Sequence, residues 1–412
     1  MMDRKAEPEI RFKGFTDSWE QRKLSSLFDK FDDGDWIEAK DQSDSGVRLI
    51  QTGNVGITEF IDKPDNKKWI SEDTFERLHC EEIFPGDILI SRLPEPAGRA
   101  CIVPDTGTRM ITAVDCTIAH SSSENSAEFI VQYLSSSDYF KWVNTCLAGG
   151  TRQRISRRML SGCDVMIPPT LAEQKCVGVY FSNLDNLITL HQRKCDKLCD
   201  FKKALLCNMF PAAEADAPKV RFKGYTKPWK HWTLGELYTE RKEAGNDDLP
   251  ILSVSIHSGV SADELDSAEL GKAVRRSEDK SLYKHTYKGD LVFNMMRAWQ
   301  GAIGVVPKEG MVSPAYITAI PNDEVFPEFM DYCLRREEVI NQINNLSYGV
   351  TDFRKRLYWD SFVRVQIMLP SVEEQKKITA TLVQLDELIE LQSAKVERLK
   401  NLKAACLEKM FV

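Results

Sequence analysis

The chain lacks the long apolar run that a membrane-spanning helix requires. No stretch of about eighteen uninterrupted apolar residues occurs anywhere in its 412 residues. Its opening, Met-Met-Asp-Arg-Lys-Ala-Glu-Pro-Glu, contains no apolar core of a signal peptide. The eleven cysteines show no regular spacing, and so long a chain needs no disulfide framework, so we interpret them as reduced thiols. These features favour a cytoplasmic protein that does not contact a membrane.

Sequence motifs of common active sites are also missing. There is no Gly-x-x-x-x-Gly-Lys-Ser/Thr phosphate loop, no Gly-x-Gly-x-x-Gly dinucleotide motif and no Gly-x-Ser-x-Gly nucleophile turn. The Asp/Asn-Pro-Pro-Phe/Tyr motif of amino-methyltransferases is absent too, because residues 166–169 have the prolines without the acid or amide. A metal-dependent nuclease pattern can be fitted to Asp35, Glu38 and Lys40, but acidic loops produce such matches freely. The sequence therefore predicts a non-catalytic binding protein.

A zinc site is the second metal centre to consider. His191, Cys195 and Cys199 recur at intervals of four residues, which would place them on one face of a helix. The second half of the chain does not repeat these ligands, since its matching positions hold Gln392, Val396 and Lys400. A duplicated zinc site is thereby excluded, and packing of one helix against another is the preferred interpretation. We expect no metal and no cofactor in this chain.

The distribution of charge leaves DNA binding possible. The net charge is −7, whereas nucleic-acid-binding proteins usually carry a basic surface. The acidic side chains, however, are concentrated in residues 29–44 and 263–269. Two short basic stretches occupy corresponding places in the two halves: Arg152, Arg154, Arg157 and Arg158, and Arg354, Lys355, Arg356 and Arg364. Either stretch alone would be interpreted as a solvated loop, but together their matching positions make DNA binding an equally good interpretation.

The chain contains an internal repeat of about half its length. Arg-Phe-Lys-Gly-Phe-Thr at residues 11–16 returns as Arg-Phe-Lys-Gly-Tyr-Thr at 221–226, which is 210 residues later. Each copy is followed by a tryptophan, Trp19 or Trp229, that we expect to pack inside its domain. The ends of the halves also match, and the residues repeated 201 positions later are Pro169, Glu173, Gln174, Met209 and Phe210. So long a period predicts duplication of a whole domain with its connector.

The regions between the matched ends differ in sequence, and each predicts a mixed α/β domain. Short runs rich in β-branched residues follow Gly-Asp, Pro or Asn turns, which is typical of strands. In the first half these runs are residues 47–50, 88–90 and 99–103. In the second half they are residues 251–254, 291–293, 302–306 and 315–319. A helix is expected to follow in each region, at residues 126–147 and 327–346.

A long helix is predicted at the end of each half. Mostly apolar residues recur at steps of three and four, close to a heptad repeat with charged flanks. In the first half this seam comprises Leu171, Val177, Phe181, Leu184, Ile188, His191, Cys195, Leu198, Phe201 and Leu205. In the second half it comprises Ile378, Leu382, Leu385, Ile389, Gln392, Val396, Leu399, Leu402 and Cys406. About forty helical residues extend roughly 60 Å, and an antiparallel pair within the chain is the simplest way to cover both seams.

These patterns divide the chain into four segments. Residues 1–167 and 213–368 are predicted to form two globular domains, and residues 168–212 and 369–412 the long helices. A proline-bounded stretch of small residues at 211–218 links the halves. The expected fold class is mixed α/β (α+β), in which two globular domains are separated by a pair of long antiparallel coiled-coil helices with an internal pseudo-two-fold repeat.

The repeated motifs resemble those of a known family. Arg-Phe-x-Gly-Phe/Tyr-Thr, with a tryptophan a few residues later, looks like the opening of the DNA specificity subunits of type I restriction–modification systems. The Pro-x-x-x-Glu-Gln sequence before each long helix is similar to the helical spacers of that family. Two further segments resemble sequences of the same family, Lys-Gly-Asp-Leu-Val-Phe-Asn at 288–294 and Met-Arg-Ala-Trp-Gln-Gly at 296–301. The resemblance covers essentially the whole chain, although the first half has no Trp-Gln after residues 85–92.

The resemblance implies a non-catalytic subunit that recognises double-stranded DNA. The two variable regions would be target recognition domains, each binding one half of a bipartite, asymmetric sequence. The two long helices would set the spacing and dock two methyltransferase (modification) subunits, and restriction/translocase subunits would complete the enzyme. S-adenosylmethionine, ATP and magnesium would then be bound by partner subunits and not by this chain.

Side chains that hydrogen-bond base edges would determine specificity, while phosphate contacts would set the register. In the first domain the candidates are Thr151, Arg152, Gln153 and Arg154. In the second domain they are Arg297, Gln300, Thr351, Arg354 and Lys355. Arg92 and Arg99 are further candidates, for which a surface ion pair is an equal alternative. A rigid helix pair of roughly 60 Å could hold both domains at a fixed separation on the DNA, such as one helical turn of about 34–36 Å.

Two other functions remain open from the sequence. One is a self-sufficient methyltransferase or nuclease with an unrecognised active site, which would act on DNA without partners. The other is a coiled-coil scaffold that joins two protein-binding domains, so that exchanging a variable region would change a protein partner and leave DNA methylation unaltered. The acidic net charge fits the DNA-binding subunit if partner subunits supply much of the basic surface. The chain alone is therefore expected to bind DNA weakly.

Overall fold

A computed structural model of the chain describes residues 7–150, 153–212, 215–246, 248–256, 259–261, 282–349 and 355–412. The chain divides into two compact units. The first unit comprises Met1–Arg193 with Ser393–Val412, and the second comprises Lys194–Gln392. Each unit therefore contains one variable region together with part of both long helices.

The first unit is built mainly of short strands. In chain order they are β1 (Glu20–Lys23), β2 (Phe28–Asp33), β3 (Gln42–Ser43), β4 (Val47–Ile50), β5 (Lys68–Ile70), β6 (Glu82–Ile83), β7 (Ile88–Ser91), β8 (Ala100–Ile102), β9 (Met110–Thr112), β10 (Cys116–Ser121) and β11 (Asp164–Ile167). The helices are α1 (Glu72–Leu78), α2 (Ala127–Tyr133), α3 (Ser137–Thr145), α4 (Arg157–Ser161) and the first part of α5 (Leu171–Asn208). Helices α1 to α4 each begin after a serine whose hydroxyl accepts a backbone N–H of the first turn, namely Ser71, Ser126, Ser136 and Ser156.

Two sheets pack together in the first unit. A four-stranded antiparallel sheet has the order β2-β10-β7-β8, and a five-stranded sheet has the order β3-β5-β4-β9-β6. Strand β7 is buried on both faces because Ile88 and Ile90 contact the helical layer, whereas Leu89 faces the core shared with the other sheet. Strand β1 pairs with β11 just before α5 begins.

The second unit repeats the central part of this arrangement. Its strands are β12 (Lys230–Thr233), β13 (Tyr238–Arg241), β14 (Val254–Ser255), β15 (Gly259–Val260), β16 (Lys284–Thr286), β17 (Leu291–Asn294), β18 (Ile303–Val305), β19 (Gly310–Val312), β20 (Tyr316–Pro321) and β21 (Gln366–Leu369). Its helices are α6 (Leu234–Leu237), α7 (Pro327–Leu334), α8 (Glu337–Leu346), α9 (Trp359–Phe362), the end of α5 and the first part of α10 (Val372–Met410). The sheet β13-β20-β17-β18 and the pair β12-β21 match β2-β10-β7-β8 and β1-β11.

Both long helices form as predicted. Helix α5 has 38 residues and α10 has 39, which corresponds to roughly 57–59 Å each. In the first unit, Lys403 Nζ lies 2.6 Å from Asp185 Oδ1 and the Tyr180 hydroxyl lies 3.4 Å from Cys406 Sγ. Because the α10 residue number falls as the α5 number rises, the helices run antiparallel there.

The predicted seams are only partly buried. Their buried members are Val177, Phe181, Leu184 and Cys195 on α5, and Ile378, Leu382, Leu385, Gln392 and Val396 on α10. Phe201 is 54% exposed and Leu402 is 46% exposed, so their assignment to the seams is wrong. An α-helix has 3.6 residues per turn, so positions chosen on a 3.5-residue repeat drift around its surface over several turns.

The repeated arginine and glutamate residues bind each other. In the first unit, Arg11 Nε donates to Glu173 Oε1 at 2.7 Å and its Nη2 donates to Oε2 at 2.8 Å. In the second unit, Arg221 makes the same two bonds to Glu374 at 2.7 and 2.8 Å. The two carboxylates are 2% and 1% exposed. Each bidentate pair therefore holds the repeated opening segment against the first turn of a long helix.

The glutamine after each glutamate binds the start of another helix. Gln174 Oε1 accepts the backbone N–H of Ser126 at 2.9 Å, and its Nε2 donates to the Pro168 carbonyl at 3.0 Å. Gln375 repeats the first contact with the N–H of Phe326 at 2.8 Å. The repeated Glu-Gln pair thus joins the start of each long helix to both the opening segment and α2 or α7.

The repeated Met-Phe pairs complete the two cores. Phe411, just after α10, lies in the core of the first unit, and its ring centroid is 5.2 Å from that of Phe129 and 6.3 Å from that of Trp19. Phe210, after α5, lies in the core of the second unit, 5.9 Å from Trp229. Trp19 and Trp229 are 4% and 3% exposed, so the prediction that they pack inside their domains is confirmed.

Two predicted helices are each split in two. Helices α2 and α3 occupy residues 126–147, and α7 and α8 occupy residues 327–346. The first break occurs because Ser136 Oγ accepts the N–H of Tyr139 at 3.3 Å and starts a new helix. The backbone of Arg336, before α8, is likewise extended.

The predicted strands are confirmed with small shifts, except that residues 251–254 form a strand only from Val254 onwards. The predicted mixed α/β class with two β-rich domains and two long helices in contact is confirmed as well. No helix in the described part of the chain combines the length and hydropathy needed to cross a membrane.

Candidate nucleic-acid interface

One loop in each unit is held by the same backbone hydrogen bonds. We call residues 91–99, between β7 and β8, and residues 294–302, between β17 and β18, the strand loops. In both loops the N–H of the first residue donates to the carbonyl of the last at 2.9 Å. The N–H of the second residue donates to a carbonyl just before the next strand: Arg92 to Asp115 before β10 at 2.9 Å, and Met295 to Ala315 before β20 at 3.1 Å. The two strand loops therefore have the same length and correspond at their ends.

A second loop lies beside each strand loop. In these closing loops, residues 148–154 and 348–356, the first and last residues exchange two backbone hydrogen bonds of 2.9–3.1 Å. The next N–H, of Ile155 or Leu357, donates to the carbonyl of the second strand-loop residue at 3.2 or 2.8 Å. The side chains of Ile155 and Leu357 are fully buried. Each closing loop is thereby fixed to its strand loop.

Arg99 lies beneath the strand loop of the first unit. Its guanidinium donates five hydrogen bonds of 2.6–3.1 Å to backbone carbonyls, which belong to Thr52, Val55, Leu93, Pro94 and Pro96. Burial lowers the pKa of this guanidinium. A direct base contact by Arg99 would require these bonds to break, so its placement is that of a residue that holds the loop.

Arg92 is also directed inward. It is 8% exposed, its Nη2 donates to the carbonyl of Val114, and its Nη1 lies 3.6 Å from Asp33 Oδ1. Among the described residues its Nε has no hydrogen-bond partner. The ion pair that the sequence left as an alternative is therefore present for Arg92, and it is partly buried.

A pocket of about 650 Å³ adjoins Arg92. Its lining residues are Ser25, Phe31, Asp33, Arg92, Ser156, Arg157, Arg158 and Ser161. Arg157 is engaged with Asp32 at 2.5 Å and with the Phe31 carbonyl at 3.2 Å, whereas Arg158 is exposed. The acidic side chains of the first unit thus neutralise part of the basic stretch noted in the sequence.

The strand loop of the second unit turns its polar side chains outward. Ala298–Gln300 forms a 3-10 turn that Gly301 closes at a φ of 100°, a conformation that glycine adopts without strain. Gln300 is exposed and Arg297 is half-buried. In the part of the chain that the structure describes, neither side chain makes a hydrogen bond, so both have donors available for a ligand.

Part of each closing loop lies outside the described residues, including the predicted contacts Thr151, Arg152, Thr351 and Arg354. Gln153 and Arg154 are exposed, and the Arg154 guanidinium lies 3.9 Å from Asp115. Lys355 is half-buried. The structure therefore brings Arg154 next to the strand loop of its unit, and Lys355 lies beside the matching loop of the second unit.

Several exposed apolar side chains are repeated at matching positions. In the first unit they are Ile10 (48% exposed), Leu187 (43%), Leu190 (62%) and Leu402 (46%). In the second unit they are Val220 (47%), Leu388 (45%), Leu391 (62%) and Phe201 (54%). Single exposed apolar residues are common on proteins. Four of them recur with similar exposure in the two units, and these eight residues are called the repeated apolar surface.

A model of the type I restriction modification DNA specificity domain matches residues 16–199 and 235–401. The chain belongs to this family. It is therefore a non-catalytic, DNA-binding specificity subunit of a type I restriction–modification system, and the resemblance noted in the sequence is confirmed.

Relatives of known name support the assignment. The specificity subunit is 20% identical over 415 aligned residues to a Methanocaldococcus jannaschii protein provisionally named as the specificity subunit of type I restriction enzyme MjaX, covering 94% of this chain and 91% of that protein. It is 22% identical over 266 residues to the MjaVIII specificity subunit of the same organism, covering 60% and 61%.

Solved structures show the same fold. The S subunit of a type I system from M. genitalium superimposes with a TM-score of 0.61 at 14% identity, covering 98% of this chain and 99% of that one. A chain from a structure that describes complex assembly and conformational transition of the type I R-M system gives a TM-score of 0.51 at 15% identity, covering 96% and 98%.

One residue of the second basic stretch was not among the base contacts predicted for the specificity subunit. Arg356 ends the closing loop of the second unit, the position that Arg154 holds in the first. It is exposed, and its guanidinium has no partner among the described residues. Aligning the apolar residues that follow, Ile155 and Leu357, would have paired the two arginines.

The possible catalytic and metal-binding residues of the specificity subunit are not assembled into a site. Asp35 Oδ2 accepts the N–H of Glu81 at 2.9 Å, and burial raises its pKa, while Glu38 pairs with Lys40 at 2.8 Å on the surface. Cys195 is buried in the helix seam. Across the described residues, no three His, Cys, Asp or Glu side chains are grouped to hold a metal ion.

Proposed function

We propose that each unit of this specificity subunit recognises one half of a bipartite, asymmetric DNA target. Two hydrogen-bonded loop pairs with the same backbone contacts and different exposed side chains support this proposal. The candidate base contacts are Gln153 and Arg154 in the first unit, and Arg297, Gln300, Lys355 and Arg356 in the second. Thr151, Arg152, Thr351 and Arg354 belong to the same closing loops and remain part of the proposal.

Arg92 and Arg99 take a different place in this proposal. Their guanidinium groups bind carbonyls and an aspartate of the first unit, so we assign them to holding the strand loop. Contacts to phosphates would supply most of the affinity and make binding strongly dependent on salt. Contacts to base edges would supply the specificity.

Exchange of one variable region tests the proposal. Residues of about 20–165 would be replaced by those of another family member, and methylated adenine would be mapped across the genome in cells that contain the complete enzyme. One half of the methylated motif is expected to change while the other half stays. An unchanged motif would contradict the proposal and would favour the protein scaffold. Methylation or cleavage by the purified chain alone would favour the self-sufficient enzyme.

We also propose that the repeated apolar surface docks the two methyltransferase subunits, one on each unit, and that the long helices set the spacing. Leu187 and Leu190 lie three residues apart on α5 and share a face, as do Leu388 and Leu391 on α10. S-adenosylmethionine, ATP and magnesium would be bound by the methyltransferase and restriction/translocase subunits. The complete enzyme would work in the cytoplasm, where its DNA is.

Charged substitutions test this docking surface. Leu190→Glu and Leu391→Glu are each expected to leave a complex with one methyltransferase, and the double variant none, because a buried unpaired carboxylate disfavours association. Native mass spectrometry measures the stoichiometry. Ile57→Glu, at an exposed apolar residue that is not repeated, serves as the control. Full assembly of the double variant would refute the docking surface.

A further inference from the structure

Glu95 occupies the middle of the first strand loop in an unusual backbone conformation. Its φ is 82°, in the left-handed region that glycine adopts readily and other residues avoid. The residue is exposed, and its neighbours on both sides are prolines, Pro94 and Pro96. A non-glycine residue keeps such a conformation only when its surroundings determine it strongly, and such residues cluster at functional sites.

Arg99 holds the backbone on both sides of Glu95. Three of the five carbonyls that its guanidinium binds belong to Leu93, Pro94 and Pro96, at 3.0–3.1 Å, and so flank Glu95 closely. The other two anchor the loop to the turn at residues 52–55, at 2.6 and 2.9 Å. The loop is therefore tied to a second segment of the unit.

The end of the loop is fixed by α3. The Tyr139 hydroxyl donates to the Gly98 carbonyl at 3.0 Å. A Cβ atom added to Gly98 would lie 2.9 Å from both the Tyr139 hydroxyl and Val143, so the backbone is in close contact with the helix. The Glu95 carboxylate is thus carried on a rigid support, which lowers the entropy cost of a contact that it makes with a ligand.

The carboxylate itself is not engaged by any residue that the structure describes. Among the described residues it has no hydrogen bond and no ion pair, and the positive charge of Arg99 acts on it only through space. The matched strand loop presents the hydrogen-bond donors of Arg297 and Gln300 instead. The two loops, which are closed by the same backbone hydrogen bonds, therefore offer different hydrogen-bonding groups.

We propose that Glu95 is a specificity residue of the first unit and accepts a hydrogen bond from the N4 amino group of a cytosine in the major groove. This inference rests on the proposed function. A carboxylate is repelled by phosphates, so a base edge is the part of DNA that it can approach favourably. Among base edges, cytosine N4 is the donor that Glu and Asp side chains accept from. Arg99 is the positioning residue that holds Glu95.

Methylation mapping with the complete enzyme tests this assignment. Glu95→Gln keeps the size of the side chain and removes its charge, and Glu95→Gly removes the side chain and relieves the backbone strain. Both are expected to lower discrimination roughly ten-fold at one G·C pair of the half-site recognised by the first unit. All positions of the other half-site are expected to stay unchanged. Glu124→Gln, at an exposed glutamate beyond the far end of β10, is the matched control and should leave the motif intact.

The positioning role of Arg99 is tested in the same assay. Arg99→Lys is expected to lower discrimination at the same base pair. The Arg99→Lys/Glu95→Gln double variant is expected to lower it no further than Glu95→Gln alone, because both residues act through one contact. If Arg99 had a purely structural role, Arg99→Lys would weaken methylation equally at all positions. That result would contradict the positioning role.

The possible failures are distinguishable. An unchanged motif in both Glu95 variants, a relaxed A·T pair, or a uniform loss of methylation would each overturn the assignment of Glu95. Exchange of the variable region, performed in parallel, shows whether the first unit recognises a half-site at all. If the exchange alters one half of the motif while the Glu95 variants do not, the proposed function stands and this inference is wrong. If the exchange alters neither half, both are wrong.

Discussion

The two strand loops have the same length and are closed by the same backbone hydrogen bonds, but their side chains point in opposite directions. In the first loop the arginines at 92 and 99 lie inside and an acid lies outside; in the second, Met295 and Ala302 fill those inner positions and the polar residues face outward. An arginine in a variable region is therefore not in itself a DNA contact. The shared hydrogen bonds place the loop, and the local contacts of each side chain decide whether it serves the fold or a ligand.

The largest expected effect comes from breaking the arginine–glutamate pair that occurs once in each unit. Replacing Glu173 or Glu374 by Ala leaves a mostly buried arginine without its partner, which should lower the free energy of unfolding by roughly 3–5 kcal/mol. Glu173 also accepts the Trp19 indole N–H at 3.2 Å, so its loss should cost about 1 kcal/mol more. Denaturant unfolding of the variants measures both values.

An exposed ion pair of the same chain provides the control for that comparison. Asp138→Asn breaks the surface contact with Lys141 and should change stability by less than about 1 kcal/mol. Equal effects for Asp138→Asn and Glu374→Ala would show that the buried pair does not hold the opening segment.

A smaller effect separates the two strand loops. Arg99→Lys should lower the free energy of unfolding by about 1–3 kcal/mol, since several partly buried carbonyls lose their donor. Arg297→Ala should change it by less than about 0.5 kcal/mol, since this side chain has no hydrogen bond to lose within the described part of the chain. The order should be reversed for DNA binding. Arg297→Ala should weaken the binding free energy of the complete enzyme for its target DNA by about 1–3 kcal/mol. A strong destabilisation by Arg297→Ala would show that both loops use their arginines internally.

The smallest effect concerns one position where a buried apolar residue is replaced by an acid. Val131 of α2 and Asp331 of α7 occupy matching places, and burial raises the pKa of Asp331 although its Oδ1 accepts the Val305 N–H. A folded-state pKa above the unfolded value means that this residue contributes most stability below the unfolded pKa. The contribution is lost as the pH rises through the folded pKa. Asp331→Asn should therefore remove part of the fall in stability between acidic and neutral pH, as measured by thermal unfolding at each pH. An unchanged pH profile would indicate that Asp331 does not titrate in this range.

Local patterns were enough to predict several parts of this protein. The apolar repeat defined α5 and α10, and the recurrence of Arg-Phe-x-Gly and Glu-Gln revealed the duplication, because helix formation and repetition are both visible within short stretches. The burial of Trp19 and Trp229 also followed from the matched motifs. The sequence alone thus determined the two long helices, the two α/β domains and the family.

Side-chain direction in the loops was decided only by the tertiary structure. Arg99 binds carbonyls more than forty positions away, at Thr52 and Val55, and Arg11 binds Glu173 across 162 residues. The outward positions of Phe201 and Leu402 depended on helix geometry accumulated over many turns. Such partners are set by the packing of distant segments, because a guanidinium binds whichever acceptors the fold brings within about 3 Å. The pattern of the chain placed arginines in the variable regions, and contacts between remote residues determined which of them remain free to meet DNA.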